Sequence, residues 1–213
     1  MKKITNLIII DASGSMTSKT EEIRGGLRLL FKDIKEDAAK GEAKIRTIVT
    51  QFSSPGHFKE LVNSKKAEKL TESLANAYQP EGMTALFDAI GKSFHLVPEK
   101  QDAVLVTIMT DGLENSSQEY TREAVTKLIQ AKKEGSPAWV ISFMGTTQQA
   151  MMEAQSWGVS AGNSISFSDS GKGFRKGMHS YARMRKAHYD SSFGRYQGSL
   201  DKLAKDNETE EED

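Results

Sequence analysis

The chain begins with a mainly apolar stretch, ITNLIII at residues 4–10, that runs directly into DASGSM at residues 11–16. A short segment with apolar residues on both faces predicts a strand in the middle of a parallel sheet. The Asp-x-Ser-x-Ser turn that follows places one carboxylate and two hydroxyls, those of Asp11, Ser13 and Ser15, where the strand passes into a helix. Since only hard oxygen ligands are present, the turn favours Mg²⁺ over zinc or copper.

Two later segments offer the ligands that this turn lacks. Thr84, in Gly82-Met83-Thr84, adds a hydroxyl, and Asp111, in Thr110-Asp111-Gly112, adds a second carboxylate. Asp11 and Asp111 each follow directly after a predicted core strand. If those two strands are neighbours, both carboxylates reach the same edge of the sheet, where α/β proteins bind ligands near the switch point in strand order.

The rest of the chain alternates predicted strands with predicted helices. This pattern indicates an α/β fold of the Rossmann-like, doubly wound type, with a mostly parallel central sheet, one antiparallel edge strand and helices on both faces. Strands are predicted at residues 4–10, 44–52, 57–62, 103–109, 138–144 and 164–167, with 57–62 as the antiparallel edge. Helices are predicted at about 17–39, 65–78, 84–97, 116–135, 146–157 and 173–188, the first and fourth opening with capping-box spacings at Ser18–Glu21 and Ser116–Glu119.

Length and composition limit the classes of protein that fit. With 213 residues, 37% of them hydrophobic, the chain fits one domain over residues 1–190, followed by an extension over 191–213 that ends in a flexible acidic tail. No apolar run approaches the roughly 20 residues that span a bilayer, and no signal peptide is expected. The absence of cysteine excludes thiolate metal sites and favours a cytoplasmic location. A net charge of zero gives no general attraction to nucleic acid or membrane.

Together, Asp11, Ser13, Ser15, Thr84 and Asp111 resemble the metal-ion-dependent adhesion site of von Willebrand factor A domains. That site consists of an Asp-x-Ser-x-Ser turn, a Thr in a second loop and an Asp after a later strand, and the element order of about residues 3–190 resembles these domains as well. The resemblance implies that the three hydroxyls bind Mg²⁺, Mn²⁺ or another divalent cation directly, while the two carboxylates act partly through water. One coordination position then remains for an outside oxygen.

The same resemblance implies a function. An Asp or Glu of a partner protein would complete the coordination, so the chain is expected to be a non-enzymatic, metal-dependent adaptor of the stand-alone intracellular type. The implied partners are proteins such as an ATPase or a multiprotein assembly. No membrane partner is expected, and nucleic acid is the less favoured alternative.

A simpler interpretation of the turn also exists. Ser13 and Ser15 can cap the following helix, Asp11 can be a turn carboxylate, and Thr84 can cap a helix of its own. Glu114 is expected to be solvated, with support of the metal ligands as the alternative.

Two other functions are weighed against the adaptor. The stretch 172–195 interleaves basic and aromatic residues, which is one way to bind single-stranded nucleic acid. We favour an amphipathic helix there, with Phe174, Met178 and Tyr181 packed inward and the basic side chains in solvent. A Mg²⁺-dependent hydrolase is the third possibility because an open metal site can activate water. None of the four histidines lies in a recognisable catalytic motif, and the chain has no phosphate-binding loop.

Overall fold

A computed structural model describes residues 1–111, 113–135, 139–145, 147–166 and 171–191, and it describes the side chains in these ranges except at 166, 171–179 and 191. The strands are β1 (Lys2–Asp11), β2 (Ala43–Phe52), β3 (Phe58–Ser64), β4 (Ala103–Met109), β5 (Trp139–Gly145) and β6 (Ser164–Ser166). The α-helices are α1 (Thr20–Ala39), α2 (Glu72–Asn76), α3 (Leu86–His95), α4 (Arg122–Glu134), α5 (Gln148–Ser156) and α6 (Gly171–Ser191). Shorter 3₁₀ turns lie at Gly14–Lys19, Ala67–Lys69 and Ala161–Asn163.

The six strands form one sheet in the order β3-β2-β1-β4-β5-β6. Only β3 is antiparallel to its neighbour, and it lies at an edge, so the predicted fold class is confirmed. The chain continues from β1 to β2 on one side, whereas β4 pairs with β1 on the other side. The switch point therefore lies between β1 and β4, and Asp11 and Asp111 both follow these two strands to the same edge.

Each face of the sheet carries its own core, because side chains along a strand alternate between the two faces. Ile8 and Ile10 of β1 belong to the core under α1 and α6, whereas Leu7 and Ile9 belong to the core under α3, α4 and α5. The apolar residues on both faces of β1 are thus explained by helices on both sides. None of the described helices is long and apolar enough to cross a membrane.

Helix starts are where the structure departs most from the expectations. The predicted Ser18–Glu21 box does not form, since α1 begins at Thr20 and has no side-chain cap. The Ser116–Glu119 box is also wrong: α4 begins at Arg122, and Thr121 caps it by accepting a bond from the Ala124 amide at 3.2 Å. The predicted helix over 65–78 is reduced to a 3₁₀ turn and α2.

The α6 helix packs against the sheet and against α1 through its described side chains. Tyr181, Met184 and Tyr189 are buried, which confirms the inward position of Tyr181, while Phe174 and Met178 lie outside the described side chains. The expectation that the basic residues of this helix stay in solvent is wrong for Arg185, which is buried and pairs with Asp37 at 2.5 Å. Arg195, at the end of the basic stretch, and the acidic tail lie outside the described residues.

Candidate metal centre

Three loops meet at the carboxyl edge of β1 and β4. The loop after β1 and the loop before α3 are joined by backbone bonds, from Gly14 N to Gly82 O at 2.9 Å and from Glu81 N to Ala12 O at 2.7 Å. Thr84 is tied in turn to the loop after β4. Its amide donates to Asn115 Oδ1 at 3.0 Å, and its carbonyl accepts from Asn115 N at 3.1 Å. Backbone bonding therefore positions all three predicted segments next to one another.

A continuous chain of polar contacts links four of the five predicted residues. The Ser13 and Ser15 hydroxyls are 3.1 Å apart, and the Ser15 hydroxyl donates to Asp111 Oδ1 at 2.6 Å. Asp11 Oδ1 accepts from the Ser13 amide at 2.7 Å, and Asp11 Oδ2 accepts from the Thr110 hydroxyl. Thr84 is buried in the adjoining loop and is positioned by its backbone.

Helix capping does not account for these hydroxyls. Ser13 occupies the N-cap of the 3₁₀ turn Gly14–Lys19, yet its side chain makes no capping bond there. At α3 the N-cap is Ala85 rather than Thr84, again without a side-chain cap. The serine hydroxyls instead contact each other and Asp111, which is the arrangement that a shared cation would use.

Burial gives the site a desolvated carboxylate. Asp11 is fully buried, and this burial raises its pKa to about 6 although Thr110 and Ser13 donate hydrogen bonds to it. A buried carboxylate is stabilised in its charged form by a nearby cation. The Tyr78 hydroxyl donates to the Asp11 carbonyl at 2.6 Å, and burial raises the pKa of Tyr78, so this tyrosine remains a donor.

Lys19 contacts the candidate site, although it was not identified from the sequence. The Lys19 ammonium lies 2.8 Å from Asp111 Oδ2, and the two side chains are only 12% and 4% exposed. Asp111 therefore contacts the Ser15 hydroxyl with one oxygen and a cation of the chain itself with the other. No motif identifies Lys19; the 3₁₀ turn Gly14–Lys19 returns it to the site.

Two carboxylates, the half-buried Glu114 and the buried Asp88, hold the loop that follows Asp111. The expected solvation of Glu114 is wrong, because it accepts bonds from the amides of Phe87, Ser116 and Ser117 at 2.9, 2.8 and 2.6 Å. Asp88, which sequence reasoning missed, accepts from the amides of residues 118, 119 and 120 at 2.9, 2.8 and 2.8 Å. Both carboxylates fasten this loop to the start of α3.

The chemistry of the donors fits a hard divalent cation. The predicted ligands are two carboxylates and three hydroxyls, with no nitrogen or sulfur among them, which is the preference of Mg²⁺ and Mn²⁺. The described residues contain no group of three or more His, Cys, Asp or Glu side chains suited to a metal. A site in this part of the chain would therefore depend on hydroxyls as much as on carboxylates.

No protein-family model matches the sequence, and a search of curated proteins finds no match. Solved structures do match the fold. The vWF domain of the type V pili tip protein Mfa5 from Porphyromonas gingivalis has a TM-score of 0.67 and 10% identity, covering 93% of this chain and 98% of that one. The pilus adhesin SpaC from Lactobacillus rhamnosus GG, in an open conformation, has a TM-score of 0.67 and 13% identity, covering 86% of this chain and 30% of that one.

A third neighbour bears on the metal. Proximal thread matrix protein 1 from the mussel byssus, solved with a zinc-occupied metal-ion-dependent adhesion motif, has a TM-score of 0.61 and 16% identity, covering 86% of this chain and 46% of that one. This chain spans about a third to two thirds of the length of several such neighbours. At these identities the likeness concerns the fold: the chain has the fold of a von Willebrand factor A-type domain.

Proposed function

We propose that this chain is a protein-interaction module that recognises a partner carboxylate through a divalent cation, Mg²⁺ in the first place. Asp11, Ser13, Ser15, Thr84 and Asp111 would hold the ion. An Asp or Glu of the partner would supply the remaining oxygen ligand. The ion contributes electrophilicity, and the chain contributes the loops that hold the donors in place.

The observation that carries this proposal is the contact chain from Ser13 through Ser15 to Asp111 at the switch point of the sheet. These hydroxyls do not cap the 3₁₀ turn that follows them, and they lie beside carboxylates from two adjacent strands. Neutral hydroxyl ligands leave most of the charge of the ion uncompensated, so the ion keeps its attraction for a further carboxylate. The fold shared with a neighbour that binds zinc at such a motif supports the same conclusion.

Binding without catalysis is part of the proposal. Metal-assisted hydrolysis would activate a water and would use a free side chain beside the metal as general base. The described carboxylates next to the site are already engaged: Asp11 by Ser13 and Thr110, and Glu114 by three amides of the neighbouring loop and helix. We therefore assign the site to recognition.

The partner and the compartment belong to the same proposal. We propose a cytoplasmic adaptor whose partner is a protein with an exposed acidic side chain, such as an ATPase or a component of a multiprotein assembly. Fractionation of the source cells checks the compartment, because the chain is expected in the cytoplasmic fraction.

The test is capture of partners by tagged protein in Mg²⁺ and in EDTA. Asp111→Ala is the test variant, and Asp102→Ala, an exposed aspartate at the opposite edge of the sheet, is the matched control. A protein retained by wild type and Asp102→Ala in Mg²⁺, but lost in EDTA and in Asp111→Ala, supports the proposal. Equal retention in all samples contradicts it.

A further inference from the structure

The opposite edge of the sheet holds a pocket of different chemistry. A cavity of about 280 Å³ opens where β1, β2 and β4 begin and where β3 ends. Its lining is dominated by cations, with four lysines and an arginine among seven residues. The lining residues are Lys3, Lys44, Arg46, Lys65, Pro98, Lys100 and Gln101.

Strand register forces these positive charges together. Lys3 of β1 lies directly opposite Lys44 of β2, and Thr5 lies opposite Arg46. Like charges at directly opposed positions of neighbouring strands repel each other and are destabilising. The Lys3–Lys44 pair therefore has an electrostatic cost that a bound anion would reduce.

The described part of the chain supplies little negative charge to this pocket. No carboxylate among the described residues forms an ion pair with any of the five cations. Asp102 accepts from the backbone amide of Lys3 at 2.7 Å. Arg46 contacts Asn63, which donates in turn to Glu60 at 3.2 Å. Among the described residues, no acidic side chain lies within ion-pair distance of these lysine ammonium groups.

The remaining polar group of the lining also suits an anion. The Thr5 hydroxyl donates to Gln101 Oε1 at 2.9 Å, so the oxygen of this amide is engaged. The amide nitrogen, which can only donate, is the group left to contact a ligand. Donors and cations are thus the polar side-chain groups that the pocket offers.

We infer that this pocket is a binding site for a compact polyphosphate anion carrying at least two phosphate groups. Five cations exceed what one carboxylate or one monophosphate compensates, whereas two or more linked phosphates match them. The cavity is at the small end of the range for small-molecule sites, about 300–1,000 Å³, which fits a compact ligand rather than an extended one. The lining has no aromatic side chain on which a nucleobase would stack.

The inference is independent of the metal centre, because the two sites lie at opposite edges of the sheet. It is tested by isothermal titration calorimetry of the full chain with inorganic triphosphate, in buffer treated to remove divalent cations. Orthophosphate and a single-stranded oligonucleotide are titrated in parallel. Removing divalent cations prevents triphosphate from acting through the metal centre or as a chelator.

Lys44→Gln and Lys100→Gln are the test variants, singly and combined. Lys59→Gln is the matched control. Lys59 is an exposed lysine of β3 that lies at the carboxyl edge of the sheet, away from the pocket. All three residues are exposed, so each variant is expected to fold, and circular dichroism verifies this. We expect each pocket substitution to weaken triphosphate binding about fivefold, equivalent to about 1 kcal/mol, and the pair to weaken it about 25-fold, with the control unchanged.

Three results would overturn the inference. One is absence of binding to wild type at millimolar triphosphate. Another is equal affinity across wild type, pocket variants and Lys59→Gln. The third is tighter binding of the oligonucleotide than of triphosphate with the same loss in the pocket variants, which would assign the surface to nucleic acid. A single site with triphosphate bound more tightly than orthophosphate, and weakened by added salt, supports it.

Discussion

The two edges of the central sheet carry opposite charge and are built by different means. At the carboxyl edge, Asp11 is buried and Asp111 is nearly so, and hydroxyls and amides of neighbouring loops hold both in place. At the amino edge, the lysines are exposed and are brought together by strand register. Donors held by hydrogen bonds suit an ion that needs defined geometry, whereas exposed lysines suit an anion bound mainly by charge.

Both edges also bring charged side chains together, and the two edges differ in whether the chain supplies the opposite charge. At the carboxyl edge the chain provides its own cation, because Lys19 contacts Asp111. At the amino edge no described carboxylate pairs with Lys3, Lys44 or Lys100. At the carboxyl edge Asp111 thus has a cation of the chain beside it before a ligand binds, whereas these three lysines have no described carboxylate at ion-pair distance.

The largest difference between the two edges is expected in the free energy of unfolding when the buried carboxylate of Asp88 is removed. Asp88→Ala deprives three backbone amides of their acceptor, and hydrogen bonds to a charged group contribute about 1.5–3 kcal/mol each. We expect the free energy of unfolding to fall by about 3 kcal/mol, measured by urea denaturation. Asp102→Ala, which removes one acceptor at the exposed amino edge, should cost less than about 1 kcal/mol. Equal losses would mean that the edges are not built differently.

Thr84 is the proposed ligand with the least direct evidence. An isosteric variant tests whether its hydroxyl binds the metal at the carboxyl edge. Thr84→Val keeps the backbone bonds to Asn115 and removes only the hydroxyl. We expect Mg²⁺ affinity to fall about 30-fold, equivalent to about 2 kcal/mol. Thr126→Val, at a half-buried position of α4 outside the predicted ligand set, is the control and should leave the affinity unchanged. Retention of full affinity by Thr84→Val would remove Thr84 from the ligand set.

Lys19 tests whether the carboxyl edge is balanced by its own cation. A divalent ion at Asp111 must displace or tolerate this ammonium. Two unit charges about 4 Å apart repel each other by about 1 to 4 kcal/mol depending on solvent access, and a divalent ion doubles that repulsion. Lys19→Met should therefore tighten Mn²⁺ binding about tenfold in a calorimetric titration. Lys19→Arg keeps the charge and should stay within about twofold of wild type. Weaker binding in Lys19→Met would mean that Lys19 assists the site instead.

The smallest expected effect comes from removing the Tyr78 hydroxyl, which contacts the backbone of Asp11. Tyr78→Phe removes the bond from the buried hydroxyl to the Asp11 carbonyl, and such a bond contributes about 1 kcal/mol. We expect a comparable fall in the free energy of unfolding, with Mg²⁺ affinity changed by less than about threefold. A large loss of affinity without a loss of stability would show that Tyr78 shapes the metal centre itself.

The sequence predicted the carboxyl edge because its signals are local. The apolar run at 4–10 and the strand before Asp111 identify two buried strands, and each candidate carboxylate follows its strand directly. The pairing of β1 with β4 then brings them together, as predicted. Metal binding by the five residues stays a prediction.

The amino edge was not predictable in the same way. Lys3, Lys44, Lys65 and Lys100 belong to four distant segments and share no motif. Only the register of β1 with β2 places Lys3 beside Lys44. The wrong capping boxes have a related cause. Ser18 and Ser116 have suitable spacings, but the tertiary contacts of Lys19 and Glu114 fix the loops around them before either helix begins.

The central claim is that Asp111 and its hydroxyl neighbours form a divalent-cation site. The most direct test is calorimetric titration of Mn²⁺ into wild type, Asp111→Asn and Asp102→Asn. The account predicts one ion per chain in wild type and in Asp102→Asn, and a loss of at least about 100-fold in affinity in Asp111→Asn. Equal binding in all three proteins, or no binding by wild type at about 10 mM Mn²⁺, would contradict it.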